Sequence, residues 1–356
     1  MTLPKKTNVF ICHRPYHVLR SCDMVKSFSE NCENILIHFN MKKMSRKDYQ
    51  EHFRLPMMEK YFDRIILIER EDFFGKVYSL AFRRFYKKIV VQYSILVGSL
   101  KNVDNVYFFS DFERPVEILV GLFKKETCAR INLVDEGTAT YCKHKWQKHK
   151  YKVYLSEIIL HLLGCNVNLR GYGQSKLYDE SYALWPELAI FRKPIHKLPI
   201  ISPQIIAEMY KSLSLNLSSK RVIFASSYVN VTYGVSKDFE MTLLKSIQKS
   251  CRNHGYELYI KPHPVQPLEY YNDFGEFVCA SQIPIEMLLE QDVILISPFS
   301  SVLVNARAMG VKSICISKLF STEDKYDLIP FFKRVGIHIA ENELDLSRLL
   351  FNRKGE

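Results

Sequence analysis

The stretch "DVILISPFSSVLVNARAMGVKSICIS", residues 292–317, contains the pattern that decides the fold. Its two apolar runs, 292–297 and 312–317, are short enough to be strands buried on both faces of a parallel sheet. The segment between them, "SVLVNARAMG", is helix-like. A strand, a helix and a second strand in this order predict an α/β fold.

The same alternation of strand-like and helix-like segments continues along the chain. Further predicted strands are "NVFIC" (8–12), "NILIHF" (34–39), "RIILIE" (64–69), "NVYFFS" (105–110), "RINLVD" (130–135), "RVIFAS" (221–226), "YELYIK" (256–261) and "EFVCA" (276–280). Helical stretches include "HVLRSCDMVKSFSE" (17–30), "PVEILVGLFKK" (115–125), a segment near 236–254 and "PIEMLLEQ" (284–291). Strands that alternate with helices predict doubly wound Rossmann-like domains.

A change of composition divides the alternation into two parts. Four prolines, at positions 186, 194, 199 and 203, indicate an extended linker, which we place at 186–215. The predicted domains are therefore 1–185, on the acceptor side, and 216–356, on the donor side. We expect them to face each other across a cleft, with ligands at the carboxyl ends of the strands.

Length and composition exclude several classes of protein. A chain of 356 residues has room for about two domains. Its nine cysteines show neither a disulfide framework nor zinc-binding spacing, which favours reduced thiols in the cytoplasm. The longest uncharged stretch, about 293–306, is too short to span a bilayer. The amino terminus is predicted to form a strand rather than a signal peptide.

The excess of basic residues, a net charge of +12, indicates an acidic partner. Basic side chains at 83, 84, 87 and 88 share one face if the segment is helical. In Lys143–Lys152, five lysines alternate with Trp146 and Tyr151. No zinc-finger or RNA-recognition sequence accompanies them, so an anionic membrane surface is favoured over nucleic acid.

Three loops after predicted strands contain polar residues suited to chemistry. The first contains Asp135 and Glu136 before a glycine, and a carboxylate there can act as a general base. The second, "KPHP" at 261–264, holds a histidine between two prolines. The third places Ser300 and Ser301 at the start of a helix, where hydroxyls cap amides and anions bind.

Other features concern the nucleotide. Glu286 lies in the first turn of a predicted helix, where it either complements the helix dipole or accepts hydrogen bonds from a ribose. The chain has no Asp-x-Asp, no Walker sequence and no Gly-x-Gly-x-x-Gly after its first strand. A metal-held diphosphate is therefore unsupported, and a nucleoside monophosphate leaving group fits better.

Together these motifs resemble those of bacterial GT-B sialyltransferases, namely the lipooligosaccharide and capsule enzymes and the related polysialyltransferases. The shared motifs are Asp135-Glu136-Gly137, His263-Pro264 and Ser300-Ser301, in that order. The stretch "IPIEMLLEQDVILISPFSS" also looks like the family's segment between a ribose-binding glutamate and a serine pair. In architecture the resemblance extends over both domains, but in sequence it is confined to short motifs.

The resemblance implies an inverting, metal-independent transfer of sialic acid from CMP-sialic acid to a glycan hydroxyl, without a cofactor. Asp135 would be the base, although families differ in which acid acts, and Glu136 is the alternative. His263 would donate a hydrogen bond or a proton to the leaving phosphate. The other donor contacts would come from Lys261, Pro264, Glu286, Ser300 and Ser301.

Three further matters stay open at this point. His13 and His17, after the first strand, are placed to touch acceptor or donor. The runner-up function is a teichoic-acid-type glycerophosphate or polyol-phosphate transferase with a CDP-activated donor, and a basic non-enzymatic module is a third reading. A lipid-linked acceptor and attachment to the inner face of the cytoplasmic membrane are expected. The sequence predicts neither linkage nor oligomeric state.

Overall fold

A computed structural model describes most of the chain, and its residues form two compact units, Met1–Pro199 and Ile200–Glu356. The described residues are 5–28, 32–40, 56–69, 82–100, 102–110, 113–142, 157–165, 173, 175–191, 194–212, 220–263, 266–279, 283–290, 292–321, 324 and 327–351. Each unit has its own sheet and its own hydrophobic core.

Unit 1 is built on a parallel sheet of seven strands in the order β3-β2-β1-β4-β5-β6-β7. The strands are β1 (Lys6–Cys12), β2 (Cys32–Phe39), β3 (Arg64–Ile68), β4 (Val103–Phe108), β5 (Arg130–Val134), β6 (Glu180–Ala183) and β7 (Ile195–Lys197). The central strands are apolar along most of their length because helices cover both faces of a parallel sheet. Its first six strands have the dinucleotide-binding order 3-2-1-4-5-6.

Two helices of unit 1 coincide with the predicted helical stretches 17–30 and 115–125. The unit contains α1 (Pro15–Phe28), α2 (Pro56–Tyr61), α3 (Phe82–Ser99) and α4 (Arg114–Glu126), and residues 157–162 are also helical. Helix α1 begins at Pro15 because proline lacks the N–H that the first turn would leave unpaired. Helix α4 buries Val116, Leu119 and Phe123 in the core, which fixes its packing on the sheet.

Unit 2 contains a parallel sheet of five strands in the order β12-β11-β10-β8-β9. The strands are β8 (Arg221–Ala225), β9 (Glu257–Lys261), β10 (Val293–Ser297), β11 (Lys312–Cys315) and β12 (His338–Ile339). Counted within the unit and read from the other edge, this is the order 2-1-3-4-5 of the second common doubly wound fold.

The helices of unit 2 alternate with its strands. They are α5 (Pro203–Ser212), α6 (Val229–Tyr233), α7 (Lys237–Asn253), α8 (Val302–Ala308), α9 (Leu328–Arg334) and α10 (Glu343–Phe351). Helix α7 begins where the Ser236 hydroxyl accepts a hydrogen bond from the Phe239 amide at 3.2 Å. The predicted α/β class with two doubly wound Rossmann-like domains is confirmed.

Three local predictions were wrong. Residues 186–215 are not an extended linker, because they contain a 3-10 turn, β7 and α5, and two of the prolines start helical segments. "PIEMLLEQ" forms a 3-10 turn at Ile285–Leu288 instead of an α-helix. The described residues of "EFVCA", 276–279, form no strand, and Val278 makes a single bridge with Ile260.

Among the described residues, no helix is both long enough and apolar enough to cross a bilayer.

Candidate active site

The candidate residues of unit 1 lie at one edge of its sheet, where the strand order reverses between β1 and β4. His13 directly follows β1, Phe109 follows β4, and Asp135 and Glu136 follow β5, the neighbour of β4. Open α/β sheets bind ligands at this switch point, outside the carboxyl ends of the strands. The position therefore agrees with a substrate site in unit 1.

The Asp135 side chain is fully buried and binds its own turn. Its Oδ1 accepts hydrogen bonds from the Gly137 amide at 2.6 Å and the Thr140 hydroxyl at 2.8 Å. Its Oδ2 accepts from the Leu184 amide at 3.1 Å and from the Tyr141 hydroxyl. Four donors occupy the four lone-pair directions of a carboxylate.

These contacts make Asp135 a structural element of the turn. Burial raises the pKa of its carboxyl group, and the hydrogen bonds oppose that shift. The Tyr141 hydroxyl also accepts a hydrogen bond from the Trp185 amide at 3.2 Å, so one network joins β5 to the chain after β6. Gly137, with a φ of 109°, supplies the turn that a side chain would strain.

Glu136 points to a different set of partners, which we call the histidine cluster: His13, Arg14, His17 and Glu136. The Arg14 guanidinium lies 2.9 Å from Glu136 Oε1. The Nε2 atoms of His13 and His17 lie 3.8 Å and 3.9 Å from the same oxygen. Glu136 is 7% exposed, whereas the Arg14 side chain is half-exposed.

The two histidines are held rigidly beside this carboxylate. Their rings contact edge to face, with centroids 4.4 Å apart, and His17 stacks on Phe109 at 4.4 Å with an interplanar angle of 7°. Burial, with added repulsion from neighbouring basic groups, lowers the pKa of both imidazoles well below its usual range. Both rings are therefore neutral at neutral pH.

The candidate residues of unit 2 also lie at a switch point, between β8 and β10. Lys261 ends β9, the neighbour of β8, and His263 follows two residues later. Lys261 is buried and donates to the Pro262 carbonyl at 3.4 Å, whereas His263 is half-buried. The His263 carbonyl accepts from the Gln266 amide at 2.8 Å, which closes the loop.

A tyrosine that the sequence did not single out orients the His263 ring. Tyr228 lies parallel to it, with centroids 5.8 Å apart and an interplanar angle of 7°. Tyr228 has a φ of 55°, which is uncommon for a residue with a side chain. Its amide donates to the Ser226 hydroxyl at 3.2 Å, which helps to hold this conformation.

Ser300 and Ser301 lie at the start of α8, as predicted, and both are half-buried. The Ser300 hydroxyl accepts from the Val302 amide at 3.4 Å. A neighbouring serine contact joins the loops after β8 and β10, since the Ser227 and Ser297 hydroxyls lie 3.1 Å apart and Phe299 donates to Ser227 at 3.2 Å. Hydroxyls from two loops therefore meet beside the switch point.

Glu286 is buried, and its Oε1 accepts a hydrogen bond from the Asn305 side chain at 2.9 Å. Asn305 belongs to α8, so this contact joins the 3-10 turn that contains Glu286 to the helix that follows the serine pair. Glu286 therefore lies against the helix that begins after the serine pair.

Several predicted residues lie outside the described part of the chain. They are Pro264, the basic segment Lys143–Lys152, and the side chains of Arg83 and Arg84. Lys87 and Lys88 are described and exposed on α3.

Four contributors were missed by the sequence reasoning: Arg14, Tyr141, Tyr228 and Asn305. A signal was available for Tyr141, because it follows the Asp-Glu-Gly turn by only four residues. The contacts of Tyr228 and Asn305 join different loops of the sheet and have no local sequence signature.

Comparisons with known proteins identify the family and the fold class of the chain. Residues 8–316 match the model of a family described as alpha-2,8-polysialyltransferase (POLYST). No curated protein sequence matched. Among solved structures, a UDP-N-acetylglucosamine 2-epimerase superposes with a TM-score of 0.50 at 10% identity, covering 98% of this chain and 86% of that one.

A second epimerase, UDP-GlcNAc 2-epimerase from Neisseria meningitidis bound to UDP-GlcNAc, superposes with a TM-score of 0.52 at 10% identity. The match covers 97% of this chain and 89% of that one. At such low identity these likenesses show the fold alone. With the family match, they confirm the predicted GT-B class of two Rossmann-like domains.

Proposed function

This chain belongs to the alpha-2,8-polysialyltransferase family and is a glycosyltransferase, and we propose that it moves sialic acid from CMP-sialic acid to a glycan hydroxyl. The transfer inverts the anomeric configuration and needs no metal ion. The observation that carries the proposal is the family match over residues 8–316, joined to polar groups at the switch points of both sheets.

We assign the base to Glu136 rather than Asp135. A general base needs a lone pair that the substrate can reach. The four lone-pair directions of Asp135 are used by donors of its own turn and of the chain after β6, so none is left for a substrate. Glu136 instead lies beside the neutral imidazoles and a half-exposed arginine at the ligand-binding edge of the sheet.

The chemical step follows from this assignment. Glu136 takes the proton of the acceptor hydroxyl. At the same time the acceptor oxygen forms a bond to the anomeric carbon of sialic acid. The bond from that carbon to the CMP phosphate breaks on the opposite face, and its electron pair leaves with the phosphate. His263 donates a hydrogen bond or a proton to this oxygen, and Ser300 and Ser301 donate further hydrogen bonds. Donors placed at a developing negative charge are the largest catalytic contribution we expect.

The remaining donor contacts come from the same loops. Glu286 binds the ribose hydroxyls, with Asn305 holding its carboxylate in place. Lys261, at the end of β9, is a further donor contact. The family description favours a sialylated acceptor and an α-2,8 linkage. We further propose a lipid-linked acceptor of the lipooligosaccharide or capsule type, handled by a cytoplasmic protein that binds the inner membrane face peripherally.

Donor choice is the direct test. The purified protein is incubated with a sialylated oligosaccharide and, separately, with CMP-sialic acid, CDP-glycerol or UDP-sugars. We expect acceptor-dependent CMP release and a longer glycan with CMP-sialic acid alone. Release of CMP from CDP-glycerol would replace the proposal with polyol-phosphate transfer, the alternative function.

A further inference from the structure

Two buried histidines in unit 1 lack the hydrogen bonds that buried polar groups normally make. His17 is 0% exposed and His13 is 8% exposed. Neither ring nitrogen of either residue has a hydrogen-bond partner among the described residues. A buried polar atom without a partner destabilises the fold, so each such atom calls for an explanation, and a bound ion is one.

The geometry of these nitrogens matches a metal site. The Nε2 atoms of His13 and His17 lie 3.8 Å and 3.9 Å from Glu136 Oε1. One potential ligand atom from each of the three residues lies within 4.8 Å of the others. Around a tetrahedral zinc ion with bonds of about 2.0–2.2 Å, ligand atoms lie roughly 3.3–3.5 Å apart. The two distances to Glu136 Oε1 exceed this spacing by about 0.3–0.6 Å, so small side-chain rotations must bring the ligand atoms together when an ion binds.

The backbone presents the three ligands with little freedom. His13 and His17 are four residues apart at the start of α1, and the His17 amide donates to the Arg14 carbonyl at 3.0 Å. Phe109 fixes the plane of the His17 ring. Glu136 follows β5, whose register with β4 is set by four residue pairs. Preorganised ligands lower the entropic cost of binding.

Arg14 is the competing cation, because its guanidinium lies 2.9 Å from the same Glu136 oxygen. Its side chain is 51% exposed, so it can swing into solvent when an ion binds. Three protein ligands would leave a fourth position for water, as in zinc sites that are not purely structural.

We propose that His13, His17 and Glu136 bind a divalent transition metal ion of the zinc type, and that this binding inhibits transfer. Two imidazoles and one carboxylate favour zinc over magnesium or calcium, which prefer oxygen ligands. Bound zinc occupies the carboxylate that accepts the acceptor's proton. The proposal has a binding half, that the three residues hold the ion, and an inhibitory half, that the bound ion blocks transfer. The inhibitory half rests on the proposed function, whereas the binding half does not.

Cobalt spectroscopy tests the binding half. Metal-free full-length protein is titrated with Co²⁺, and Zn²⁺ is then added in competition with a chromophoric chelator. We expect one equivalent to bind, with the visible absorption of a four-coordinate site and without sulfur-to-cobalt charge transfer. Charge transfer from sulfur would place the metal on the cysteines and would overturn the assignment, as would the absence of binding.

Matched variants locate the site. His13→Asn and Glu136→Gln should each weaken zinc binding by at least the roughly hundredfold that even outer-shell changes can produce. His196→Asn, on the exposed edge of the same sheet, and His254→Asn, exposed in unit 2, should bind like the wild type. Circular dichroism shows that each variant is folded. Unchanged affinity in folded His13→Asn would overturn the assignment.

The activity measurement separates this proposal from the proposed function. Zn²⁺ at the concentration that fills the site should abolish CMP release, and EDTA should restore it. Binding without inhibition would refute the inhibitory half and argue against Glu136 as base. A protein that binds Zn²⁺ yet never uses CMP-sialic acid would refute the transferase assignment while the metal site stands.

Discussion

The carboxylates of Asp135 and Glu136, adjacent in the chain, bind different partners. Asp135 accepts four hydrogen bonds from the turn and from the chain after β6, whereas Glu136 faces Arg14 and two neutral histidines. Successive side chains of an extended segment point in opposite directions, which explains the separation. The pair therefore divides into one residue that holds the turn and one that is placed for chemistry.

Substitution of each acid should separate these roles. Glu136→Gln should lower turnover by roughly a hundredfold or more, the scale of general-base catalysis, without changing CMP affinity or thermal stability. Asp135→Asn replaces one of the two carboxylate oxygens by an NH2 group, which cannot accept a hydrogen bond. At least one buried donor therefore loses its acceptor. We expect about 1–3 kcal/mol of lost stability by chemical denaturation. An active Glu136→Gln beside a stable, inactive Asp135→Asn would reverse the assignment.

Much of the fold was predictable because its signal is local. Buried parallel strands such as β1 and β10 are uninterrupted apolar runs, and a run of that kind needs no information about its neighbours. Strand β7, with only three residues and little burial, has no such signal and was missed. It forms because β6 offers an open edge, which is a tertiary property.

The candidate site was predictable only in part. The sequence placed Asp135, Glu136, His263 and the serine pair after strands, and the structure has them there. It could not choose between the acids, because the choice depends on Tyr141 and on Leu184, about fifty residues away. Hydrogen bonds that join distant segments have no sequence pattern of their own.

Transfer should continue without a divalent metal ion. The proposed phosphate contacts are an imidazole and two hydroxyls, and no metal-assisted step is invoked. Activity in excess EDTA should stay within about twofold of that in magnesium, because chelation leaves Glu136 free to act as base. Loss of activity on chelation that manganese restores would contradict the phosphate-site assignment.

The buried neutral histidines should make the fold sensitive to acid. Burial lowers the pKa of His38 to about 3, and His13 and His17 are lowered in the same direction. Below the ordinary pKa of 6.5 the unfolded chain binds protons that the folded chain does not. Stability is therefore complete above about pH 6.5 and falls as the pH drops below it, by up to ~1.4 kcal/mol per pH unit for each buried neutral histidine, and for His38 down to about pH 3.

Denaturant titrations at pH 7 and pH 5 measure this slope. His38→Leu removes one of the titrating groups, so its unfolding free energy should depend less on pH, whatever its stability at pH 7. An unchanged slope in His38→Leu would show that this histidine is protonated in the folded protein.

Peripheral membrane attachment predicts binding to anionic vesicles. Lys87 and Lys88 are exposed on α3, and each basic residue near an anionic surface contributes about 1 kcal/mol. Lys87→Glu with Lys88→Glu should weaken sedimentation with phosphatidylserine vesicles by more than tenfold at low salt. Lys245→Glu with Lys249→Glu makes the same charge change on α7 and should bind normally. Equal binding to neutral vesicles would contradict the proposal.

The contact between Tyr228 and His263 allows the sharpest test of the donor half of the mechanism. His263→Ala should lower turnover by roughly a hundredfold, the effect of losing one preorganised electrostatic contact. It should also weaken CMP binding, because the product CMP and the transition state use the same phosphate contact. Glu136→Gln should leave CMP binding unchanged. Tyr228→Phe keeps the stacked ring and should retain activity, whereas Tyr228→Ala removes the ring that lies parallel to the imidazole. We therefore expect Tyr228→Ala to lower kcat with a smaller loss of CMP affinity than His263→Ala, measured by calorimetry. Wild-type kcat in a folded Tyr228→Ala would show that the ring does not position His263, and wild-type CMP affinity in His263→Ala would remove this histidine from the phosphate site.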